Sequence, residues 1–65
     1  MKIRIAAKDA DHAIEFMRND LQIKGRILLG WVDVMKTANT GEVRNLYRVR
    51  IDASNTVQNN ALYVL

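Results

Sequence analysis

The chain has no cysteine and no proline. Without cysteine there is no disulfide and no thiolate zinc site to brace a domain of 65 residues. Without proline there is no rigid segment to mark a linker. The single histidine, His12, cannot hold a metal alone, so no metal site and no cofactor are expected. The three glycines are dispersed, which excludes a phosphate-cradling loop. Apolar runs end after a handful of residues, Ala61–Leu65 at the most, so neither a transmembrane helix nor a signal-peptide core is present. The lack of cysteine fits a cytoplasmic protein, in a bacterial host's cytoplasm if a phage encodes it.

A chain this short makes one domain, residues 1–65, and a small core. Its apolar fraction of 49% is high for that size and argues for burial against a partner or a second copy. Ten Lys and Arg outweigh seven Asp and Glu, a net charge of +3. Acidic protein, a nucleoprotein complex or nucleic acid would all be attracted by it.

Periodicity then gives the elements. Lys2–Ala7 alternates as a short strand, with Ile3, Ile5 and Ala7 on its apolar side. Asp9 or Asp11 is the N-cap of a helix from Ala10 to about Ile23, whose inner stripe is Ala10, Ala13, Ile14, Met17 and Leu21 with Phe16 beside it. Gly25 is expected at the helix C-terminus, between Lys24 and Arg26. A long hairpin follows. Ile27–Lys36 and Glu42–Ala53 are its strands, and Thr37–Gly41 is its turn. In the second strand Val43, Tyr47, Val49 and Ile51 have one parity; Arg44, Leu46, Arg48 and Arg50 have the other. The first strand changes parity midway, from Ile27 and Leu29 to Val32 and Val34. A β-bulge at Gly30–Trp31 would put all four aliphatics on the core side and turn Trp31, Asp33 and Met35 outward. Without it, Trp31 joins Ile27 and Leu29 in the core. The sequence leaves both open. After a polar stretch from Ser54 to Asn60, Ala61–Leu65 reads as a last strand; a short helix capped by Ser54 competes, but Tyr-Val-Leu favours strand.

The fold class is therefore α+β, in the order β-α-β-β with a fourth short strand, one helix packed on one face of a small antiparallel-rich sheet. The long strand of alternating arginines is placed centrally and the first strand at an edge, where Lys2 and Arg4 would blunt it. The expected core is Ile3, Ile5, Ala13, Ile14, Phe16, Met17, Leu21, Ile27, Leu29, Val32, Val34, Tyr47, Val49 and Ile51. One helix leaves the other sheet face uncovered.

That face is the candidate site. Trp31, Arg44, Arg48, Arg50, Arg4 and Met35 are its expected partner-binding residues. Tryptophan and arginine are the residue types that anchor protein interfaces. They also serve single-stranded nucleic acid, where bases stack and cations hold phosphate. Sheet-face RNA binders expose several aromatics, and here only Trp31, given the bulge, would be exposed, so a protein partner is preferred. The uncharged segment Leu62, Tyr63 and Val64 could pair edge to edge with a second copy, as a homodimer, or close the sheet within one chain.

No catalytic residues are expected. Asp9 more plausibly caps the His12 amide than pairs with its ring for catalysis, since no nucleophile accompanies them. The seven carboxylates show no metal or glycosidic spacing; Asp33 and Asp52 are expected to offset neighbouring arginines across the hairpin.

A strand, an alanine-rich helix start (Ala6-Ala7-Lys8-Asp9-Ala10-Asp11-His12-Ala13-Ile14) and a glycine-preceded strand (Lys24-Gly25-Arg26-Ile27) make the chain resemble small accessory proteins of bacteriophages and mobile elements, including anti-CRISPR proteins and phage inhibitors of host polymerase. The resemblance spans about half of the chain. It implies a compact, non-enzymatic protein that inhibits or modulates a bacterial complex by occupying a surface.

Overall fold

A computed structural model describes residues 1–36, 41–51 and 57–65. Five elements follow in order: β1 (Lys2–Ala7), α1 (Ala10–Asn19), β2 (Ile27–Lys36), β3 (Val43–Ile51) and β4 (Leu62–Val64). The four strands form one sheet in the order β2-β3-β1-β4. β3 is antiparallel to both β1 and β2, and β4 runs parallel to β1. This is the expected α+β arrangement, with β3 in the sheet interior. β1 is interior too. The expectation of a blunted β1 edge fails because β4 returns alongside it, held by Arg4 N–H to the Ala61 carbonyl (2.8 Å) and Leu65 N–H to the Ala6 carbonyl (2.8 Å).

The helix begins as its sequence predicts. Asp9 is extended and its carboxylate accepts from the His12 amide at 2.9 Å, satisfying a free first-turn donor. The His12 ring nitrogen Nδ1 lies 2.9 Å from the same oxygen. The His12 amide, then the ring, hold the Asp9 carboxyl below its ordinary value of 3.8.

The end of the helix differs from expectation. It stops at Asn19 rather than near Ile23. Asp20 and Leu21 both donate to the Phe16 carbonyl (2.9 and 3.2 Å), and Gln22 takes a left-handed conformation, φ 53°. The Ile23 amide then donates to the Met17 carbonyl at 2.8 Å. Gln22, not Gly25, therefore makes the reversal at the helix end. Gly25 adopts its own positive φ of 119° in the connection to β2. The apolar spacing of Leu21 and Ile23 reflects burial outside the helix: Ile23 enters the core directly, and Leu21 packs against it.

The core lies between α1 and one face of the sheet. Ile3, Ile5 and Ala7 from β1 and Tyr47, Val49 and Ile51 from β3 meet Ala13 and Met17 from α1. Ile27, Leu29, Ile14, Phe16 and Tyr63 pack around them. The Phe16 and Tyr63 rings meet at 5.3 Å, tilted by 55°, an arrangement favoured by the ring quadrupoles. Val57, which lies in the polar stretch before β4, is also buried there.

The hairpin register contains the bulge. Leu29 pairs with Val49 and Val32 with Tyr47, so Gly30 and Trp31 together oppose Arg48. Parity is thereby reset, and Val32 and Val34 share the face of Ile27 and Leu29. They are nonetheless exposed, Val34 by 65%, which corrects their expected place in the core. The helix starts beside the Ala7–Asn45 pair and runs back toward the other end of the sheet, so the turn half of the hairpin, Val43 included, is left uncovered. The turn residues Thr37–Thr40, the end of the second predicted strand at Asp52 and Ala53, and the competing Ser54 cap lie outside the described residues.

Two measurements check this description. Met17→Ala empties the centre of the helix–sheet contact and should cost about 2–5 kcal/mol in urea unfolding, a large share of a small domain's stability. Asp9 has a depressed folded pKa, so its stabilisation is present above the ordinary value and is lost as pH falls through the folded one. Helical circular dichroism of the wild type should therefore lose thermal stability below about pH 4 more steeply than that of Asp9→Asn.

Candidate protein-binding face

The face of the sheet away from the helix is built from alternate residues of all four strands. The register sets them in rows. Leu28, Arg50 and Lys2 make one row, and Arg48, Arg4 and Leu62 the next, with the Gly30–Trp31 bulge opposite Arg48. Asp33, Leu46, Ala6 and Val64 make a third, and Met35 and Arg44 begin a fourth. Ala6 is completely buried although it faces away from the helix, flanked in its row by Leu46 and Val64. Sequence alone does not foretell this, because strand parity marks a face and not how neighbours cover a small side chain.

The bulge settles the position of Trp31. Its indole is 57% exposed on the open face. The Arg48 guanidinium lies 5.7 Å from the ring centroid, within cation–π range. Gly30 meets only ordinary contact distances: an added Cβ would lie 3.4 Å from the Arg48 carbonyl oxygen. The bulge thus follows from the parity change of the aliphatics rather than from a conformation that only glycine adopts.

A shallow groove of about 300 Å³ runs beside the tryptophan, lined by Lys2, Leu28, Gly30, Trp31, Arg48, Val49 and Arg50. No carboxylate among the described residues lines it. Lys2, Arg48 and Arg50 make no ion pair among the described residues. Among these residues their charge has no counter-ion, unlike that of Arg44. Arg4 Nη2 donates to the Asn60 carbonyl at 3.1 Å. Arg44 is spent within the chain: Nε donates to the Leu65 carbonyl at 2.6 Å, and Nη2 meets the Glu42 carboxylate at 2.7 Å. Asp33 does not neutralise an arginine as expected; its carboxylate folds back to accept from the Val34 amide at 2.8 Å. Its expected companion Asp52 lies outside the described residues. Met35 sits opposite Arg44, half-buried and away from the groove.

The structure therefore brings Trp31, Arg48 and Arg50 together, with Arg4 beside them, and separates Arg44 and Met35 from them. Sequence reasoning placed Lys2 on this face but missed Leu28. The alternation of Leu28 with Ile27 and Leu29 held the signal for Leu28. Tyr47 is buried and Tyr63 faces the helix, so Trp31 is the one aromatic on this face among the described residues. Among the described residues no three of His, Asp and Glu gather as a metal site, and no helix is long and apolar enough to cross a membrane.

No protein-family model, no curated protein and no solved structure matches this chain.

The unneutralised cations make a direct electrostatic prediction. Iodide, an anion, should quench Trp31 fluorescence more strongly than caesium ion at equal concentration. Arg48→Glu with Arg50→Glu should invert that order, with neutral acrylamide reporting the change in exposure of the ring.

Proposed function

We propose that this chain is a non-enzymatic protein-binding module that captures an acidic surface of a macromolecular complex on its open sheet face. The observation that carries the reading is an exposed tryptophan in a groove whose three cations have no carboxylate partner among the described residues. An interface gains most from a large side chain that it desolvates fully, and Trp and Arg are the types most enriched as such anchors. Trp31 supplies apolar area, and Leu28 extends it along the groove. Arg48, Arg50 and Lys2 supply charge that speeds encounter and fixes orientation against carboxylates. The cation–π contact already restrains the Arg48 and Trp31 side chains, so less side-chain freedom is lost on binding.

The presence of one aromatic favours protein over single-stranded nucleic acid, which is gripped by successive stacked bases. Binding of this kind acts by occupying the partner's surface. Inhibition or modulation of a bacterial complex, in the manner of the phage accessory proteins that the chain resembles, is the effect it would have.

The test is capture of proteins from a bacterial lysate by the immobilised chain, with Arg48→Glu/Arg50→Glu and Trp31→Ala as variants. A defined partner should be retained by the wild type and lost by both variants, with circular dichroism unchanged. Retention by the folded double mutant would refute the role of this face. Gel-shift titrations with single-stranded DNA and RNA at two salt concentrations address nucleic acid. Tight binding that weakens steeply with salt, through release of counterions from phosphate, would replace the protein reading.

A further inference from the structure

The two edges of the sheet are not equivalent. β2 forms one edge, and that edge is interrupted: it carries the Gly30–Trp31 bulge, the Lys36 charge, and an Asp33 carboxylate folded onto the Val34 amide. These are devices that discourage pairing with another strand. β4 forms the other edge and has none of them. Leu62, Tyr63 and Val64 carry no charge, no proline and no bulge.

The hydrogen bonds of β4 fix which of its backbone groups are free. Ala61 accepts from Arg4, and the Leu65 amide donates to Ala6. Alternate residues of a strand turn their amide and carbonyl groups to opposite sides. Tyr63 therefore shares the inward orientation of Ala61 and Leu65, and Leu62 and Val64 direct both their N–H and C=O groups away from the sheet. Two donors and two acceptors, two residues apart, form a self-complementary row. The side chains have the same symmetry. Leu62 and Val64 lie on the open face, 44% and 53% exposed, and Tyr63 lies on the helix side against Phe16.

We infer that a second copy of the chain pairs antiparallel along β4, with a two-fold axis at Tyr63. Leu62 of each copy stands opposite Val64 of the other and exchanges two hydrogen bonds with it, four bonds in the seam. Tyr63 faces its own counterpart as the intervening non-hydrogen-bonded pair. An eight-stranded sheet results. Its open face carries an apolar seam of two leucines and two valines, and the rows place Arg4 beyond Leu62 on either side, so like charges are kept apart. On the helix side the two Phe16–Tyr63 ring pairs are brought to the axis. The pairing is independent of what the basic groove binds.

Sedimentation equilibrium together with cysteine cross-linking tests the inference. The wild type should sediment as a dimer. Val64→Pro removes an outward amide and no bond within the sheet, and the extended residue before it suits proline; it should sediment as a monomer with unchanged circular dichroism. The chain has no cysteine of its own, so Leu62→Cys mixed with Val64→Cys should oxidise to a covalent dimer. Opposed residues of an antiparallel pair lie about 5.5 Å apart, within disulfide reach. Either variant alone should remain largely uncross-linked, because its cysteines are then diagonal across the seam. A wild type that stays monomeric at millimolar concentration overturns the inference. So does a folded V64P that remains dimeric, or a dimer dissolved instead by Val34→Lys on the opposite side of the hairpin. If V64P does not fold, the mixed cross-link decides: its absence overturns the pairing and its presence supports it.

Discussion

The molecule depends on a mismatch of one residue. Gly30 and Trp31 on β2 oppose the single residue Arg48 on β3. A strand has a side-chain period of two, so without that extra residue either Ile27 and Leu29 or Val32 and Val34 would be on the wrong side of the sheet. The bulge keeps Ile27 and Leu29 against the core and sends the indole to the opposite face. Packing and surface chemistry are thus set by one local irregularity. The core gains two aliphatic side chains that cover its margin, and the open face gains the large apolar group without which it would be merely basic.

The charge on that face is partitioned by the same sheet geometry. Arg44, Arg48 and Arg50 share one face of β3 with Leu46, yet they are not equivalent. Arg44 lies where the chain returns as β4 and is held by the Leu65 carbonyl and Glu42. Arg48 and Arg50 lie toward the other end, beside Lys2 and the bulge, with no carboxylate among the described residues lining the groove. Alternation put all three on one face; only tertiary neighbours distinguish the structural arginine from the available ones. Burial follows the same logic on the helix side. Val32, Val34 and Val43 have core parity, but a ten-residue helix covers only part of a long hairpin.

Much of the fold was legible because β2 and β3 are long and β3 alternates cleanly, and because Asp9, placed three residues before His12, is a strong start signal. The helix end was not, since the apolar spacing continues through Leu21 and Ile23 while the backbone has already left the helix at Asn19. A side chain's periodicity reports burial, and here burial outlasts the hydrogen-bonding pattern. The interior place of β1 was hidden as well. Lys2 and Arg4 read as edge charges, but both project to the open face, where a central strand tolerates them. Of the candidate site, parity identified Arg48 and Arg50 and left Trp31 to the bulge; the loss of Arg44 to an internal contact depends on a pairing across twenty-one residues, beyond any local pattern.

The place of β1 between β3 and β4 has a consequence for how the sheet assembles. Arg4 pairs with Arg48 and with Leu62, forty-four and fifty-eight residues further along the chain. A nascent polypeptide therefore presents β1 long before either neighbour exists. The β1 ladders close the longest loops in the sheet, whereas the capped helix and the β2–β3 hairpin close only short ones. Pairings so distant in sequence are slow to form, because a long loop must close before any contact rewards it. The rate at which this small domain becomes native is thus governed by its topology more than by its size.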